Sequence, residues 1–145
     1  MRTDPTLAIH GGPKAKTTPY GVAKRFDEVE LDQLRETLAQ NTLFYGYGVK
    51  VKGACARMAE YTGRPFIVPC SSGTAAIHLG LIACGIGPGD EVIVPAYTYT
   101  ATASVVCHVG AKVVMVDSQK DNVEMDYDKL ANAITEKTKV IVPVD

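Results

Sequence analysis

The chain has 145 residues, of which 46% are hydrophobic and 21% are charged, and these values are typical of one ordinary globular domain. Its 15 Lys and Arg residues against 16 Asp and Glu residues leave a formal net charge of -1. This balance gives no bulk electrostatic reason to expect binding to nucleic acid or to an anionic membrane, so any partner must be recognised by local features.

Targeting and cysteine patterns point to a cytoplasmic protein. The amino-terminal segment holds only the short apolar run "LAI", and no later segment is apolar for long enough to span a membrane. The four cysteines are far apart and form no C-x-x-C pair, so we expect buried free thiols and no metal site. No histidine has a carboxylate or a second histidine at ligand spacing, which favours structural roles.

The first part of the chain is predicted to be an arm followed by two helices. Proline, glycine and scattered charges in residues 1–25 favour an extended arm. Asp27 and Glu30 have the spacing of a capping box, and apolar residues at helical spacing follow them. The aromatic and glycine-rich run "LFYGYG" (43–48) indicates a tight loop. A second helix follows, for which Gly63 is a natural C-cap.

The remaining chain, 64–145, alternates strand-like and helix-like segments. The predicted strands are "PFIVP" (65–69), "EVIVP" (91–95), "KVVMVD" (112–117) and "KVIVPVD" (139–145), and the predicted helices are Thr74–Cys84, Thr98–His108 and one capped by Asp126. Continuous apolar strands are buried on both faces, so we predict a three-layer α/β fold with a mostly parallel sheet. The predicted organisation is an arm (1–25), helices with a loop (26–63) and an α/β region (64–145).

The loop "SSGT" (71–74) is a candidate anion site. Its residues are small, it is predicted to follow a strand, and it leads directly into a helix whose free N–H groups and dipole favour an anion such as phosphate. The alternative is that Ser71 or Ser72 only caps the helix. Neither G-K-[ST] nor G-x-G-x-x-G occurs here, so the loop does not match the ordinary nucleotide-binding loops.

A second loop, "PAYTYTATAS" (95–104), also follows a predicted strand and opens a helix. Carboxyl ends of parallel strands form the ligand crevice of open α/β sheets, so both loops should face one cleft. Tyr97 or Tyr99 could lie flat against a planar ligand, the alternative for each being a core tyrosine. A phosphate site beside an aromatic ring suggests a flat phosphorylated cofactor such as pyridoxal phosphate.

At this point the sequence resembles the DegT/StrS-type aminotransferases, pyridoxal-phosphate enzymes of fold type I that aminate keto sugars, often nucleotide-linked, and cyclitols. The resemblance runs through "LAIHGG", "SSGTAAIHLGL", "GIGPGDEVIVPAYTYTATAS", "GAKVVMVD" and "TKVIVPVD". It implies that Gly73, Thr74 and the amide of Ala75 bind the cofactor phosphate and that Tyr99 stacks on the pyridine ring. Tyr97 is then structural.

The resemblance also implies partners. Members of the family work as dimers on an amino-acid donor and a keto-sugar or cyclitol substrate, and Tyr45 and Tyr47 would lie on the substrate side. The "LAIHGG" opening is most similar to the branch that handles cyclitols and aminohydroxybenzoate-type antibiotic precursors.

Two catalytic residues that the resemblance implies have no match in this sequence. The family's Schiff-base Lys and the Asp that pairs with the pyridine nitrogen have no match, so the chain is expected to be an amino-terminal part, inactive alone. A complementing carboxyl-terminal chain would supply the missing residues, and association with such a chain or as a homo-oligomer would cover the open sheet edge. The alternatives are a noncatalytic sugar-nucleotide-binding or dimerisation module and, less favoured, a nucleotide-binding α/β domain with an unusual loop.

Overall fold

The computed structural model describes residues 6–144. The chain divides into two compact units, Met1–Ile67 and Val68–Asp145. None of the described helices has the length and apolarity that crossing a membrane requires.

The first unit is helical. A short 3-10 helix covers Ala8–His10, and two α-helices follow, α1 over Glu28–Ala39 and α2 over Val49–Thr62. The predicted capping box of α1 is present, because the Val29 N–H donates to Asp27 Oδ1 over 2.9 Å and the Asp27 N–H donates to Glu30 Oε2 over 2.8 Å.

Helix α2 ends at the predicted C-cap glycine, and its first N–H group is capped by a side chain from the end of α1. Gly63 has φ 66°, the left-handed conformation that a C-cap glycine adopts without steric cost. Gly48, at the N-cap, offers no side chain. Instead, the Val49 N–H donates to the amide oxygen of Gln40 over 2.9 Å, so the residue that ends α1 also caps α2.

The second unit is an α/β structure. Its elements are α3 (Gly73–Ala83), β1 (Glu91–Pro95), α4 (Ala101–His108), β2 (Lys112–Val116), α5 (Tyr127–Ala133) and β3 (Thr138–Ile141). The three strands form a parallel sheet in the order β2-β1-β3. The predicted strands at 91–95, 112–117 and 139–145 are therefore confirmed as strands, although the last one ends at Ile141.

Strand β1 forms the centre of the core because both of its faces are covered. Val92 and Val94 are fully buried in a cluster with residues of α3 and α4, whereas Ile93 is fully buried in a second cluster with Val116 and Met125. Part of α5 packs against this second cluster through Leu130 and Ala133. Alternate side chains of a strand point to opposite faces, so helices lie on both sides of the sheet as predicted.

The first predicted strand, "PFIVP" (65–69), is wrong. These residues form no strand, and Phe66 and Val68 are 88% and 78% exposed. A strand persists only when a neighbouring strand bonds to its backbone, and this segment bonds neither to β1, which β2 and β3 flank, nor to the outer edge of β2 or β3. The "SSGT" loop therefore follows an unpaired segment.

The expectation of buried thiols is also wrong. Three cysteines, Cys70, Cys84 and Cys107, are exposed, and Cys55 is half-buried. Cys107 lies on an exposed face of α4, whereas Cys84 follows the end of α3 and Cys70 lies in the loop before it, so apolar neighbours in the sequence do not determine burial.

Candidate functional site

The amino terminus of α3 is held by a serine cap. Ser72 has an extended backbone, and its Oγ accepts the Ala75 N–H over 3.1 Å. The carbonyl of Ser72 accepts the Ala76 N–H over 3.0 Å, which starts the regular helix. The capping alternative is therefore confirmed for Ser72, and the Ala75 amide is engaged by this cap.

Two helix donors next to the cap have no acceptor. Within residues 6–144, neither the N–H of Gly73 nor that of Thr74 makes a hydrogen bond, and the Thr74 hydroxyl makes none. A Cβ placed on Gly73 would meet nothing within 4 Å. The backbone is therefore open to close approach at the positive end of the helix dipole, which suits an anion.

A cavity of about 440 Å³ lies where the three strands end. Its lining comes from the segments that follow β1, β2 and β3, namely Pro95, Tyr97, Thr98, Tyr99, Val123, Glu124 and Val144. The carboxyl edge of a parallel sheet is where α/β folds bind ligands, so the cavity has the position that the sequence predicts.

Tyr99 is the most exposed ring of this cavity, at 82%, whereas Tyr97 is 65% exposed. Neither is a core tyrosine. Helix α4 begins at Ala101, three residues later than predicted, because the Thr102 N–H donates to the Tyr99 carbonyl over 3.0 Å in a tight turn that precedes the regular helix. Both tyrosines thus lie in a loop and can contact a ligand.

The α3 terminus and the cavity share one edge of the sheet. Helix α3 leads into β1 through a short turn and packs on the sheet through Leu81, so it runs opposite to β1 and begins near the carboxyl end of that strand. None of the residues that line the cavity belongs to α3. The order of the elements therefore assigns Gly73 and Thr74 to the same edge as Tyr99, although neither residue lines the cavity.

The two substrate-side candidates, Tyr45 and Tyr47, lie in the first unit. Their rings lie 5.0 and 5.4 Å from the ring of Phe44, and both side chains are more than half exposed. A Cβ on Gly46 would come within 2.7 Å of the Phe44 ring, so the glycine permits this aromatic cluster. The cluster offers an exposed aromatic surface.

Asp117 and Asp126, which follow β2, form ion pairs with Lys129. Lys129 Nζ lies 3.3 Å from Asp117 Oδ2 and 3.5 Å from Asp126 Oδ2. A hydrogen bond from the Ser118 N–H, followed by one from Lys129, lowers the pKa of Asp117, and the hydrogen bond to Asp117 raises the pKa of Lys129. Lys129 therefore keeps its proton, which makes it a poor nucleophile.

Sequence reasoning missed one pair of side chains. The rings of His78 on α3 and His108 on α4 lie 5.8 Å apart, although 30 positions separate them in the sequence. No local sequence signal finds this pair, because the proximity of the two rings depends on how α3 and α4 pack against one face of the sheet. Among the described residues, no group of three or more His, Cys, Asp or Glu side chains could hold a metal ion.

Helices on both faces of a parallel sheet define an α/β protein, as predicted, and proteins of this class bind ligands at the carboxyl edge of the sheet, where Tyr99 lies. Comparison with known protein families identifies the family within this class. The model of the DegT/DnrJ/EryC1/StrS aminotransferase family matches residues 24–145. The chain belongs to this family.

Individual relatives agree with this assignment. GDP-perosamine synthase of Caulobacter vibrioides is 41% identical over 122 residues, which cover 84% of this chain and 33% of that protein. L-glutamine:2-deoxy-scyllo-inosose aminotransferase of Streptomyces lividus is 34% identical over 144 residues, which cover 96% of this chain and 34% of that protein. The chain thus spans about a third of the length of the curated relatives it matches.

A solved structure confirms the fold class. It is a protein of Streptococcus pneumoniae named as a sugar aminotransferase and solved in its PLP form, with 51% identity and a TM-score of 0.75. The match covers 81% of this chain and 30% of that one. The α/β unit of the present chain therefore has the architecture of the fold type I aminotransferases.

Proposed function

We propose that this chain is the amino-terminal part of a pyridoxal-phosphate-dependent aminotransferase that transfers an amino group from an amino-acid donor to a keto sugar or cyclitol. The observation that carries the proposal is the pair of unbonded N–H groups on Gly73 and Thr74 at the same sheet edge as the exposed ring of Tyr99. Family membership and relatives named for sugar and cyclitol amination support it.

The residues present offer groups that suit the phosphate and the pyridine ring of the cofactor. Gly73 and Thr74 offer two backbone donors and one hydroxyl donor to a phosphate, and no side chain blocks Gly73. Tyr99 offers an exposed face for a pyridine ring. When bound, pyridoxal phosphate supplies an aldehyde that takes up amino groups and a ring that accepts electrons.

The residues of this chain would bind and orient, and none of them is proposed to carry out the proton transfer. No lysine is among the residues that line the cavity at the strand ends, and Lys129 is held in an ion pair. We propose that the Schiff-base Lys and the Asp for the pyridine nitrogen are supplied from outside this chain. Dimerisation, a cytoplasmic location and the substrate-side roles of Tyr45 and Tyr47 remain part of the proposal.

Binding of pyridoxamine phosphate to the purified chain tests the proposal, because this amine form of the cofactor cannot react with surface lysines. We expect it to bind more tightly than pyridoxamine or inorganic phosphate. Tyr99→Ala should weaken binding about 3- to 10-fold, the range that corresponds to one aromatic stacking contact. Gly73→Ala should also weaken it, since the added methyl group occupies the approach to the free donors, whereas Gly80→Ala on the same helix should not.

Equal binding by wild type and both site variants would contradict the assignment of this site. Pyridoxal phosphate followed by borohydride tests the second part of the proposal. We expect no cofactor fixed specifically at one lysine, and specific fixation would show that the chain holds its own catalytic lysine. Tight binding of a sugar nucleotide with no cofactor bound would instead favour the noncatalytic module.

A further inference from the structure

Thr102, in the first turn of α4, is a buried polar residue bonded to the loop that carries Tyr99. Its side chain is only 4% exposed, and its hydroxyl oxygen lies 2.8 Å from that of Thr98. Its N–H donates to the carbonyl of Tyr99 over 3.0 Å. One residue anchored in the core therefore contacts both Thr98 and Tyr99, and we refer to residues 98–102 as the Tyr99 turn.

The ring of Tyr99 has no support of its own. It is 82% exposed, and within residues 6–144 it stacks on no other ring and its phenol has no hydrogen-bond partner. The place of the ring and the direction of its Cα–Cβ bond are consequently set by the backbone of the Tyr99 turn. The order of that backbone decides how much conformational freedom the ring must lose when a ligand binds.

The turn also lacks an ordinary helix cap. Thr100, at the N-cap of α4, has a helical backbone and makes no side-chain cap bond. The hydrogen bond between the hydroxyls of Thr98 and Thr102 is the side-chain bond that links the two ends of this turn. Thr98 and Tyr99 both line the cavity at the strand ends, so the pair connects the core directly to the ligand-facing residues.

We propose that Thr102 is a positioning residue that holds the backbone of Tyr99 in the place from which its ring can stack on a flat ligand ring. The proposal rests on the proposed function, in which Tyr99 is the stacking residue. Thr102 itself contacts no ligand, because it is buried and does not line the cavity. Its effect on binding must therefore pass through Tyr99.

The first test needs no ligand. In Thr102→Val, which keeps the shape and removes the hydroxyl, we expect the amide of residue 102 to lose about 5-fold in hydrogen-exchange protection, the effect of one net hydrogen bond. Thr102→Ser should restore the protection. Thr100→Val is the matched control, because the Thr100 hydroxyl makes no cap bond, and it should leave protection at residue 102 unchanged. Unchanged protection in Thr102→Val would overturn the proposal.

The second test asks whether the effect passes through the ring. Thr102→Val should weaken pyridoxamine phosphate binding about 3- to 5-fold, again the scale of one hydrogen bond, and should leave inorganic phosphate binding unchanged. In a Tyr99→Ala background it should cause no further loss, since the ring it positions is gone. An equal loss in both backgrounds would show a merely structural role and overturn the proposal. If the wild-type chain binds no pyridoxamine phosphate, the proposed function fails, and the exchange experiment still decides whether Thr102 orders the turn.

Discussion

The hydroxyl of Thr135 donates a 2.7 Å hydrogen bond to Oε2 of Glu91 at the amino end of β1. Lys112, which begins β2, donates to the other carboxylate oxygen over 2.9 Å. Glu91 is only 6% exposed, so this carboxylate links the start of the central strand to β2 and to the segment before β3. Both contacts lie at the end of the sheet opposite the candidate site.

This relationship predicts an acid-sensitive sheet. The hydrogen bond from Thr135, followed by that from Lys112, holds the pKa of Glu91 below its ordinary value of 4.5. A lowered pKa in the folded state stabilises the fold at pH values above 4.5, and this stabilisation is lost as the pH falls through the folded-state value. Urea unfolding measured between neutral and acidic pH should therefore show a falling midpoint.

Glu91→Gln should be less stable at neutral pH and lose less stability on acidification than the wild type. Glu124→Gln provides the control, because the carboxylate of Glu124 makes no hydrogen bond or ion pair among the described residues. A wild-type acid dependence that persists fully in Glu91→Gln would contradict the role of this carboxylate.

Two glycines should respond in opposite ways to the same substitution. Gly110 has φ +76°, and a Cβ there would lie 3.1 Å from Pro88 Cγ. Gly110→Ala should cost about 1–2 kcal/mol for the left-handed backbone alone. Gly80, inside α3, has nothing within 4 Å of its added Cβ, so Gly80→Ala should stabilise the chain by about 0.5–1 kcal/mol. Thermal unfolding measures both changes, and a shift of the same sign for the two variants would disagree with this backbone conformation.

The buried centre of β1 should be the most sensitive apolar position. Ile93 is 0% exposed and is among the largest fully buried side chains. Ile93→Ala should lower the free energy of unfolding by about 2–5 kcal/mol through lost burial and a residual cavity. Ile82→Ala is the matched control: its side chain is 54% exposed, so the cost should be much smaller. Equal losses in a denaturant titration would show that β1 is not the core.

The cap of α3 should couple stability to anion binding. Ser72→Ala removes the hydrogen bond to the Ala75 N–H and should cost about 1 kcal/mol of stability. It also frees the Ala75 N–H, which the family resemblance places among the phosphate ligands. We expect inorganic phosphate to bind this variant at least as tightly as the wild type. Weaker binding would mean that the serine hydroxyl itself is a ligand.

Local signals explain what the sequence could predict. The N-caps at Asp27 and Asp126 depend on side-chain bonds within three residues, the C-cap at Gly63 depends on its own backbone conformation, and all three are present in the structure. The strands that form β1 and β2 carry enough apolar residues to be recognised alone. Family resemblance added the class of protein, which composition and periodicity did not provide.

Long-range relationships explain what the sequence could not predict. The segment 65–69 has the composition of a strand, but whether it pairs depends on whether the fold brings it alongside another strand. The proximity of His78 and His108 depends on how two helices pack, and the bond between Thr98 and Thr102 depends on where α4 begins. The roles of Gly73, Thr74 and Ala75 in phosphate binding stay predictions, as does the stacking role of Tyr99.

The strand order also bears on synthesis. The central strand, β1, is made before either of the strands that cover its two edges, because β2 and β3 both follow it in the chain. During synthesis, the apolar side chains of β1 therefore leave the ribosome before the strands that will flank β1 in the folded sheet. Nascent chains that end before β3 should therefore be the species most in need of a chaperone.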